Sequence, residues 1–589
     1  MPIIVQKFGG SSVANSQKIL AAARKAIRAQ KEGNQVVVVV SAMGDNTDLL
    51  IDLAKQITDA PPAREMDMLL STGEQVSVAL MAMAIHSLGH KAISMTGAQI
   101  GIVTDSTHTK ARIQTISTDR IRSALDEGQI VIAAGFQGID QQRDITTLGR
   151  GGSDTTAVAL AAVLGAQACE IYTDVDGVYT TDPRIVPEAR RVRQISYDEM
   201  LELATAGAGV MHNRSIEFAK KFCVPVHVRS SFSDSPGTMI VADPEAAGQA
   251  VCGAAVIKNE ARMTVLGVPD RPGAALAVFS RIAARNIAMD MIVQNVAADG
   301  RADISFTVAR DELPHALKAV EEAVKELGAE GCDCDDEVSK VSIVGVGMAT
   351  QTGVANRMFR ALAEKGINIL MITTSEIKIS VLVAREFALE ALRTIHSEFG
   401  LETESLPCAG AVVPAGNGKR TNDVVARMEK MEQLIIEDIS LDESQARVTV
   451  VGLQDIPGLA AQVFDEIAEA GVVVDMIVQS VGRQGHANIS FTVPARDLQR
   501  CLAVTAEQAE LLGCPPPISC PKVAKLSVFG VGMKSHTGVA SRMFQALAAE
   551  GINVELISTT EVRVNVIVDG RHGPRARAVL LAEFADAMV

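Results

Sequence analysis

An internal duplication constrains the fold of the second half of this chain more than any other feature of the sequence. With an offset of 185 residues, positions 262–308 match 447–493 at 25 of 47 residues, and positions 340–383 match 525–568 at 24 of 44. Because both segments share one offset, the duplicated unit is the pair of segments. Each segment reads as a strand, a turn, an amphipathic helix and two strands, and the segments within a pair repeat one another weakly. The sequence therefore predicts four related βαββ-type modules in two duplicated pairs.

Residues 1 to about 245 share none of this periodicity. Apolar segments such as QVVVVVSAM and IVIAAGFQG alternate there with helical stretches such as SDTTAVALAAVLGA and YDEMLELATAGAG. Strands and helices that alternate along a chain form a mostly parallel sheet covered on both faces. We therefore expect an α/β fold in which helices sandwich a mostly parallel sheet, followed by the four modules.

The composition of the chain limits which partners and which cellular compartment are expected. Of 589 residues, 70 are acidic and 55 basic, which gives a formal charge of −15, and tryptophan is absent. This balance argues against nucleic acid or a membrane surface as the main partner. The nine cysteines form no CxxC motif, which favours reduced thiols in the cytoplasm or a stroma-like organelle compartment. No targeting segment or long apolar run is visible, so we expect neither export nor membrane insertion.

Three glycine-rich segments each follow an apolar strand and precede a helix in the first 245 residues. They cover residues 7–12, 41–44 and 149–154. Backbone N–H groups in such turns close on an anion, and the following helix adds its positive end. One such segment could be an ordinary turn, but three in one sheet, with Lys7 in the first and Arg150 in the third, indicate an anion site. The sequence has neither a Walker A motif nor a complete GxGxxG.

Five motifs make this part of the chain recognisable. They are VQKFGGSSV at the start, STGE (71–74), GFQG (135–138), TTLGRGGSD (146–154) and TDVDGVYTTDPR (173–184). In this order and spacing they resemble the aspartate kinases of the amino-acid-kinase family, and the modules resemble ACT domains, the ferredoxin-like βαββαβ units that regulate those enzymes. The resemblance covers essentially the whole chain. It implies ATP-dependent phosphorylation of the side-chain carboxylate of L-aspartate to 4-phospho-L-aspartate, the first step towards lysine, threonine, methionine and isoleucine.

The resemblance also implies a set of site residues. The catalytic residues would be Lys7, Asp154 and Arg184. ATP would contact Lys7, Phe8, Gly9, Gly10, Ser41, Thr173, Asp174, Tyr179, Asp182 and Arg184. L-Aspartate would contact Ser41, Thr47, Glu74, Phe136, Arg150, Gly151, Gly152 and Ser153. Mg²⁺ would be held mainly by the ATP phosphates, so no metal ligands are predicted in the protein.

Residue chemistry agrees with this assignment. A carboxylate nucleophile is already ionised at neutral pH, so the reaction needs no general base. Lys7 is suited to neutralise the transferring phosphate, Arg150 to hold a substrate carboxylate by two hydrogen bonds, and Glu74 to pair with the substrate ammonium.

Some of these residues also have simpler explanations. Glu74 could cap a helix that begins at Ser71, because STGE has the spacing of a capping box. Asp182 precedes a proline in a common turn, and His212 fits a structural role. One position departs from the family, whose members often carry lysine near Gly209. Arg184 is then the candidate for a second active-site cation.

Turns before the module helices, and polar residues that recur in both duplicates, are candidates for binding an amino-acid effector. The turns could instead be helix caps and packing glycines alone. By resemblance, lysine, threonine or both would bind between paired ACT domains, which would associate in a homodimer or larger assembly. The predicted effector residues are Asp270, Gly273, Met289, Asp290, Met291, Gln294, Thr352, Gly353, Val354, Ala355, Asn368, Ile369, Glu376, Asp455, Gly458, Asp475, Gln479, Thr537, Gly538, Val539, Ala540, Asn553, Val554 and Glu561.

We place the catalytic domain at residues 1–245 and a linker at 411–440. The ACT domains are expected at 246–335 (module 1), 336–410 (module 2), 441–520 (module 3) and 521–589 (module 4). A short strand before modules 1 and 3 could join the sheet of a neighbour, which leaves the module boundaries open.

Two other functions stay open. The first is a kinase of the same fold that acts on glutamate, acetylglutamate or a nucleotide, which the STGE and GRGGSD motifs and the ACT array disfavour. The second is an amino-acid sensor without catalytic activity, against which the presence of Lys7, Arg150 and Asp154 argues.

Overall fold

The computed structural model describes most of the chain with several gaps. The described residues are 1–244, 250–285, 287–296, 300–349, 351, 353–403, 431–432, 434–481, 485–533 and 538–588. The predicted effector residues Thr352 and Thr537 and most of the predicted linker lie outside these ranges.

Residues 1–244 form an α/β unit, here called the N-terminal unit. Its larger sheet contains β1 (Ile3–Phe8), β2 (Gln35–Val40), β3 (Ala92–Met95), β6 (Ile130–Ala134), β9 (Ala168–Thr173), β10 (Gln194–Ser196), β11 (Val226–Ser230) and β12 (Thr238–Val241). The strand order is β10-β12-β11-β9-β1-β2-β6-β3, and all neighbours are parallel except β11 and β12. A smaller sheet holds β4 (Ile102–Thr104), β5 (Ile113–Ile116), β7 (Gln137–Ile139) and β8 (Ile145–Thr147). The predicted mostly parallel sheet is confirmed.

Helices cover both faces of the larger sheet and give the unit two apolar cores. They are α1 (Ser16–Lys31), α2 (Asn46–Lys55), α3 (Ala63–Ser87), α4 (Gly97–Ile100), α5 (Asp119–Asp126), α6 (Gly152–Leu164), α7 (Tyr197–Thr205) and α8 (Asn213–Phe222). Helix α6 is built from small apolar residues and is buried on almost every side, so it can lie directly under the central strands. This packing places the first turn of α6 beside the end of β1.

Helix α3 is long and apolar enough to cross a membrane, judged by length and composition alone. No other helix in the described ranges meets that test. In this structure 56% of its apolar window is buried, and α3 packs on β3, β6 and β8. Its buried side also carries two carboxylates, Asp67 and Glu74. We interpret α3 as a core helix of the N-terminal unit.

The rest of the described chain forms a twelve-stranded sheet with helices on it. The strands are β13 (Gly253–Pro269), β14 (Met289–Val296), β15 (Arg301–Ala309), β16 (Gly331–Val344), β17 (Met371–Thr374), β18 (Lys378–Ala384), β19 (Ile435–Gln454), β20 (Ile477–Val481), β21 (His486–Pro494), β22 (Ile518–Val531), β23 (Leu556–Thr559) and β24 (Arg563–Asp569). The helices are α9 (Ala274–Ala283), α10 (Leu313–Leu327), α11 (Val354–Glu364), α12 (Ala388–Glu398), α13 (Leu459–Glu469), α14 (Leu498–Leu511), α15 (Val539–Ala549) and α16 (Gly573–Glu583). The strand order is β14-β15-β13-β16-β18-β17-β20-β21-β19-β22-β24-β23.

Consecutive modules share strands. Residues 260–269 of β13 pair with β15 in module 1, but residues 253–257 of the same strand pair with the second half of β16 in module 2. Strand β19 repeats this arrangement in modules 3 and 4, where residues 435–442 pair with β22. The strand that precedes each odd-numbered module therefore completes the sheet of the following module. The predicted boundaries at 335/336 and 520/521 fall inside β16 and β22, and residues 435–440 of the predicted linker range are the start of β19.

A second set of contacts between modules crosses the duplication. Module 1 packs on module 4 and module 2 on module 3, each through a shared apolar core. Strands β17 and β20 pair between modules 2 and 3, and the aromatic rings of Phe359 and Phe464 lie 5.8 Å apart. Residues at the corresponding positions, Phe544 and Phe279, lie 5.7 Å apart between modules 4 and 1. The sequence repeat suggests modules 1 and 2 as one unit, whereas the interfaces join partners from different duplicates.

This arrangement predicts that neither duplicate is self-sufficient. A fragment of residues 250–403 would expose two apolar module faces, as would a fragment of residues 431–589, because each core draws residues from both. We expect either fragment alone to self-associate, and a mixture of the two to form a 1:1 complex in sedimentation or size-exclusion experiments. Two monomeric fragments that ignore each other would contradict the crosswise packing.

Candidate active site and effector interfaces

Lys7 and Asp154 form an ion pair at the centre of the candidate active site. Lys7 is the penultimate residue of β1, and Asp154 lies in the first turn of α6. Lys7 Nζ is 2.6 Å from Asp154 Oδ1, and both side chains are largely buried. A Cβ at position 9 would lie 3.4 Å from Lys7 Nζ, so Gly9 leaves the lysine little space to spare. The structure thus brings together two residues that the sequence separates by almost 150 positions.

The first two glycine-rich segments pack against each other through their backbones. Gly44 N donates to Gly10 O at 3.1 Å, and Ser41 N donates to Phe8 O at 3.1 Å. A Cβ on Gly10 would lie 2.9 Å from Ala42 O, closer than side chains approach a carbonyl oxygen. Both segments follow neighbouring parallel strands, so their N–H groups lie at one edge of the sheet.

Glu74 lies in the middle of α3, so the alternative that it caps a helix beginning at Ser71 is wrong. Its Oε1 accepts a hydrogen bond from Ala42 N at 3.0 Å, next to the second glycine-rich segment. Burial raises the pKa of Glu74 to about 7, although the bond from Ala42 N opposes the shift. A buried carboxylate that ionises near neutral pH is suited to a cationic ligand.

Residues 135–136 pack against the third glycine-rich segment and the first turns of α6. A Cβ on Gly135 would lie 2.7 Å from Ser153 Oγ, so only glycine fits there. Phe136 has a left-handed φ of +68°, which is costly for a bulky residue. Its N–H donates to Thr156 Oγ1 at 3.1 Å, and α6 thereby fixes the strained loop. Strain of this kind concentrates at functional sites.

A cationic cavity of about 330 Å³ opens beside Arg150. Its lining includes Lys110, Arg112, Arg150, Arg214 and Lys221, against the carboxylates of Glu217 and Glu432. Glu432 comes from the segment before β19 and binds Arg214 at 2.6 Å. The predicted substrate residue Arg150 is exposed at this cavity, whereas Thr47, the second residue of α2, is not part of its lining.

The packing of His212 agrees with the structural role expected from the sequence, whereas sequence reasoning missed the position of Asp67. A Cβ on Gly151, which has φ +73°, would lie 2.3 Å from His212 Cβ, so this histidine rests directly on the third glycine-rich segment. Burial lowers the pKa of His212, and the charge of Asp154 partly offsets the shift. Asp67 is fully buried and accepts hydrogen bonds from Thr109 N and Thr147 Oγ1. Neither residue stands in a motif, and a lone aspartate within a helix gives no sequence signal.

The predicted nucleotide loop, residues 173–184, has three side-chain contacts that lie within the loop itself. Thr173 Oγ1 donates to Asp174 Oδ1 at 3.1 Å, and the Tyr179 hydroxyl donates to Asp176 Oδ1 at 2.8 Å. Asp182 and Arg184 form a local ion pair of 2.7 Å, and the arginine side chain is 88% exposed. The Arg184 guanidinium holds the pKa of Asp182 below its usual value.

Module 2 reaches this loop. His396 Nε2 on α12 lies 3.0 Å from Thr180 Oγ1, and Arg393 Nε donates to Ile185 O at 3.3 Å.

Two side-chain hydrogen bonds link modules 1 and 4. Gln294 Nε2 donates to Val554 O at 2.9 Å, and Asn553 Nδ2 donates to Asp270 Oδ1 at 2.7 Å. All four residues belong to the predicted effector set.

The same two bonds recur between modules 2 and 3, with donor and acceptor positions related by the 185-residue offset. Gln479 Nε2 donates to Ile369 O at 3.0 Å, and Asn368 Nδ2 donates to Asp455 Oδ1 at 2.8 Å. A cavity of about 10 Å³ lies beside these residues, too small for an amino acid. A Cβ added at Gly273 or at Gly458, both at positive φ, would lie 3.7 Å from the Cβ of an alanine in the opposing module. The two interfaces are thus related by an approximate twofold symmetry within one chain.

Other members of the predicted effector set lie elsewhere. Asp290 binds Lys340, and Asp475 binds Lys525 at 2.6 Å, so both link consecutive modules. Glu376 binds Arg563 at 2.6 Å, and Glu561 N donates to Glu202 of the N-terminal unit. The remaining described members lie at helix starts and on neighbouring strands of the interfaces: Met289, Met291, Gly353, Val354, Ala355, Gly538, Val539 and Ala540.

Comparisons with known proteins agree with this architecture. A model of the amino acid kinase family matches residues 2–230, and models of the ACT domain match residues 262–325, 341–399, 448–508 and 526–584. An aspartokinase from Mycolicibacterium smegmatis is 50% identical over 425 residues, which are 71% of this chain and all of that protein. An aspartate kinase from Pseudomonas putida is 52% identical over 404 residues, which are 68% of this chain and 98% of that protein.

Solved structures extend the match to the whole chain. The aspartate kinase from Synechocystis superposes with a TM-score of 0.52 at 40% identity and covers 99% of this chain and 98% of that one. Aspartokinase III from E. coli in complex with aspartate and ADP gives a TM-score of 0.58 at 26% identity, over 67% of this chain and 99% of that one. The shared motifs, the identity and the coverage show that this chain belongs to the aspartate kinase family.

Proposed function

We propose that this chain transfers the γ-phosphoryl group of ATP to the side-chain carboxylate of L-aspartate, giving 4-phospho-L-aspartate and ADP. The observation that carries this proposal is the buried ion pair of Lys7, in the first glycine-rich segment, with Asp154, in the third. Glu74 lies beside the second segment. The E. coli relative solved with aspartate and ADP supports the choice of both substrates. The product would serve the synthesis of lysine, threonine, methionine and isoleucine.

In the proposed reaction, a carboxylate oxygen of aspartate forms a bond to the γ-phosphorus while the bond from that phosphorus to the ADP oxygen breaks. The nucleophile is ionised at neutral pH, so no protein base takes a proton. Lys7 balances the charge that develops on the transferring group, and Asp154 fixes the direction of its ammonium. Glu74 pairs with the substrate ammonium, and Arg150 holds its α-carboxylate.

ATP and Mg²⁺ fit the residues present. The N–H groups at the ends of β1 and β2 and the exposed Arg184 are suited to a polyanion, with Arg184 as the second cation. No group of three or more potential metal ligands occurs in the described ranges. The proposal assigns the Mg²⁺ mainly to the ATP phosphates. When bound, Mg²⁺ would neutralise phosphate charge.

We propose that lysine, threonine or both inhibit the enzyme by binding at the two interfaces between modules. The hydrogen bonds from Gln294 to Val554 O and from Gln479 to Ile369 O support this location, because they recur in both duplicates and cross to the opposing module. The E. coli enzyme solved with lysine and aspartate supports lysine as an effector. The 10 Å³ cavity implies that an effector must separate the modules slightly to enter.

We also propose a cytoplasmic homodimer or larger assembly. The eight described cysteines form no disulfides, which supports a reducing compartment. The association of ACT modules occurs within one chain, so a second copy needs further surface. Apolar side chains on α2, on the residues just after it and on α3 supply one, including Ile57, which is 87% exposed, and Met83.

Trapping of the acyl phosphate with hydroxylamine tests the activity directly. The chain, ATP and Mg²⁺ should yield hydroxamate with L-aspartate and none with L-glutamate. Hydroxamate with glutamate or acetylglutamate alone would favour a different kinase of the same fold. No product with any carboxylate would favour a sensor without catalysis.

Replacement of Lys7 tests the phosphate site. Lys7→Ala should lower kcat by a factor on the order of 10²–10³, because one preorganised charge is lost, while the KM for aspartate changes little. Lys31→Ala, an exposed lysine at the end of α1, is the matched control and should behave as wild type. Near-normal kcat in Lys7→Ala would show that β1 does not end in a phosphate site.

Arg150→Ala should have the opposite kinetic signature. Loss of a bidentate carboxylate contact should raise the KM for aspartate at least tenfold and leave the KM for ATP unchanged. If only ATP binding weakens, the assignment of Arg150 to aspartate is wrong.

The raised pKa of Glu74 predicts a pH dependence of aspartate capture. Below its pKa of about 7 the carboxyl group becomes neutral and no longer pairs with the substrate ammonium. At saturating ATP, kcat/KM for aspartate should therefore fall about tenfold per pH unit below that value. Glu74→Gln should show a low kcat/KM without this dependence. A wild-type profile that stays flat from pH 8 to pH 6 would remove Glu74 from the aspartate site.

The duplicated glutamines test the effector interfaces separately. Gln294→Ala should weaken inhibition at the interface of modules 1 and 4, and Gln479→Ala at that of modules 2 and 3, so each variant is the matched control of the other. We expect unchanged kcat without effector and greater resistance to lysine or threonine in the double variant than in either single variant. Inhibition curves that remain identical in all three variants would place the effectors elsewhere.

A further inference from the structure

Glu202 is a fully buried carboxylate at the junction of the N-terminal unit with two modules. It lies on α7, and its Oε2 is 2.7 Å from Lys378 Nζ at the start of β18 in module 2. Its Oε1 accepts a hydrogen bond from Glu561 N of module 4 at 3.2 Å. Burial disfavours both charges and raises the pKa of Glu202, but the carboxylates of Glu202, Asp290 and Glu561 hold the pKa of Lys378 above its usual value. One carboxylate thus contacts two modules at once.

The two contacts come from equivalent places in the duplicated modules. Residues 375–377 connect β17 to β18, and residues 560–562 connect β23 to β24, at the same 185-residue offset. Lys378 of the first hairpin corresponds to Arg563 of the second, and Glu376 to Glu561. Arg563 binds Glu376, whereas Lys378 binds Glu202. The N-terminal unit therefore breaks the approximate symmetry by entering only one of two equivalent ion pairs.

Each hairpin is joined to one candidate effector interface by a single short strand. Strand β17 begins two residues after Ile369, which lies with Asn368 at the interface of modules 2 and 3, and it ends at the first turn. Strand β23 begins two residues after Val554, which lies with Asn553 at the interface of modules 1 and 4, and it ends at the second turn. Four residues of strand span about 13 Å. A shift at either interface can therefore reach Glu202 along one rigid strand.

A second chain of contacts leads from Glu202 to the catalytic segments. Helix α7 ends at Thr205, and residues 206–211 connect it to His212, which rests on Gly151. Helix α8, which follows His212, packs on both α7 and on α6, the helix that carries Asp154. Glu199, one turn before Glu202, adds a further anchor because its Oε1 accepts from Val346 N of module 2 at 3.0 Å. Movement of α7 would displace the segment that holds Arg150 and Asp154.

We propose that Glu202 is the positioning residue through which both module interfaces act on the active site. The inference rests on the proposed function, because it assigns a path to the regulation proposed there. An effector at either interface moves β17 or β23, changes the contacts of Lys378 or Glu561 N with Glu202, and so shifts α7 and His212. Both interfaces act on one carboxylate, so a single substitution there should uncouple both.

The physical reason is the cost of leaving a buried charge without its partner. Lys378 and Glu202 are 6% and 0% exposed, so neither can exchange its partner for water without a rearrangement. Such a pair favours discrete arrangements over gradual displacement, and a ligand shifts the balance by as much as its affinities for the two arrangements differ.

The test measures inhibition and effector binding in the full-length protein. In Glu202→Gln, the concentration of lysine and of threonine needed for half inhibition should rise about tenfold or more for every effector that inhibits wild type. Effector affinity measured by calorimetry should stay within about twofold of wild type, since the interfaces are untouched. A variant that is merely misfolded would lose binding as well as inhibition, so the two readouts separate the cases.

The duplication offers matched controls. Lys378→Met should lose inhibition as Glu202→Gln does. Lys378→Arg, which places at position 378 the residue type found at the equivalent position 563, should be inhibited like wild type. Arg563→Gln breaks the equivalent ion pair that does not include Glu202 and should leave inhibition unchanged.

Three outcomes would overturn the inference. Glu202→Gln that is inhibited like wild type shows that the signal takes another path. Loss of inhibition by one effector only, where both inhibit wild type, shows that the interfaces do not converge on Glu202. A wild-type enzyme that forms acyl phosphate but responds to neither amino acid leaves no regulation for Glu202 to transmit. Failure to form any acyl phosphate would instead refute the proposed function itself.

Discussion

The regulatory half of this protein depends on strands that belong to two modules at once. Strand β13 closes the sheet of module 1 with one half and the sheet of module 2 with the other, and β19 does the same for modules 3 and 4. A module with one strand missing would expose both its apolar face and its unpaired backbone groups. The modules are therefore stable only as a set, and a displacement in one is carried into the next along a continuous strand.

The sequence predicts the number and type of these modules but not their partners. The 185-residue offset records which segments share an origin, and helix and strand periodicity follows from the pattern of apolar residues. Which faces meet depends on contacts such as Gln294 with Val554, which lie 260 positions apart. No periodicity specifies those contacts, so the crosswise interfaces could be recognised only from the structure.

Some residues of the candidate site could likewise be predicted from the sequence, whereas others could not. Lys7, Arg150 and Asp154 stand in glycine-rich segments whose backbone geometry requires those sequences, so motifs alone predict them. Glu74 was predicted with an alternative, a capping role, that its position in the middle of α3 removes. Asp67 and Glu202 stand in ordinary helical sequence, and only the fold shows that both are buried and have partners far along the chain. Single carboxylates of this kind give no signal until the chain is folded.

The approximate twofold symmetry within one chain has a consequence for how the enzyme responds at different concentrations. Interfaces between separate chains form only where the chains are abundant enough to associate, whereas covalent connection gives the two halves a fixed effective concentration. The regulation proposed for these interfaces should then be independent of how much protein a cell contains. Because the two interfaces lie in one chain, their sequences can also differ. Met289 and Val474, which occupy equivalent positions, are one such difference. Each interface can be selected for a different amino acid, which two identical chains related by exact symmetry could not achieve.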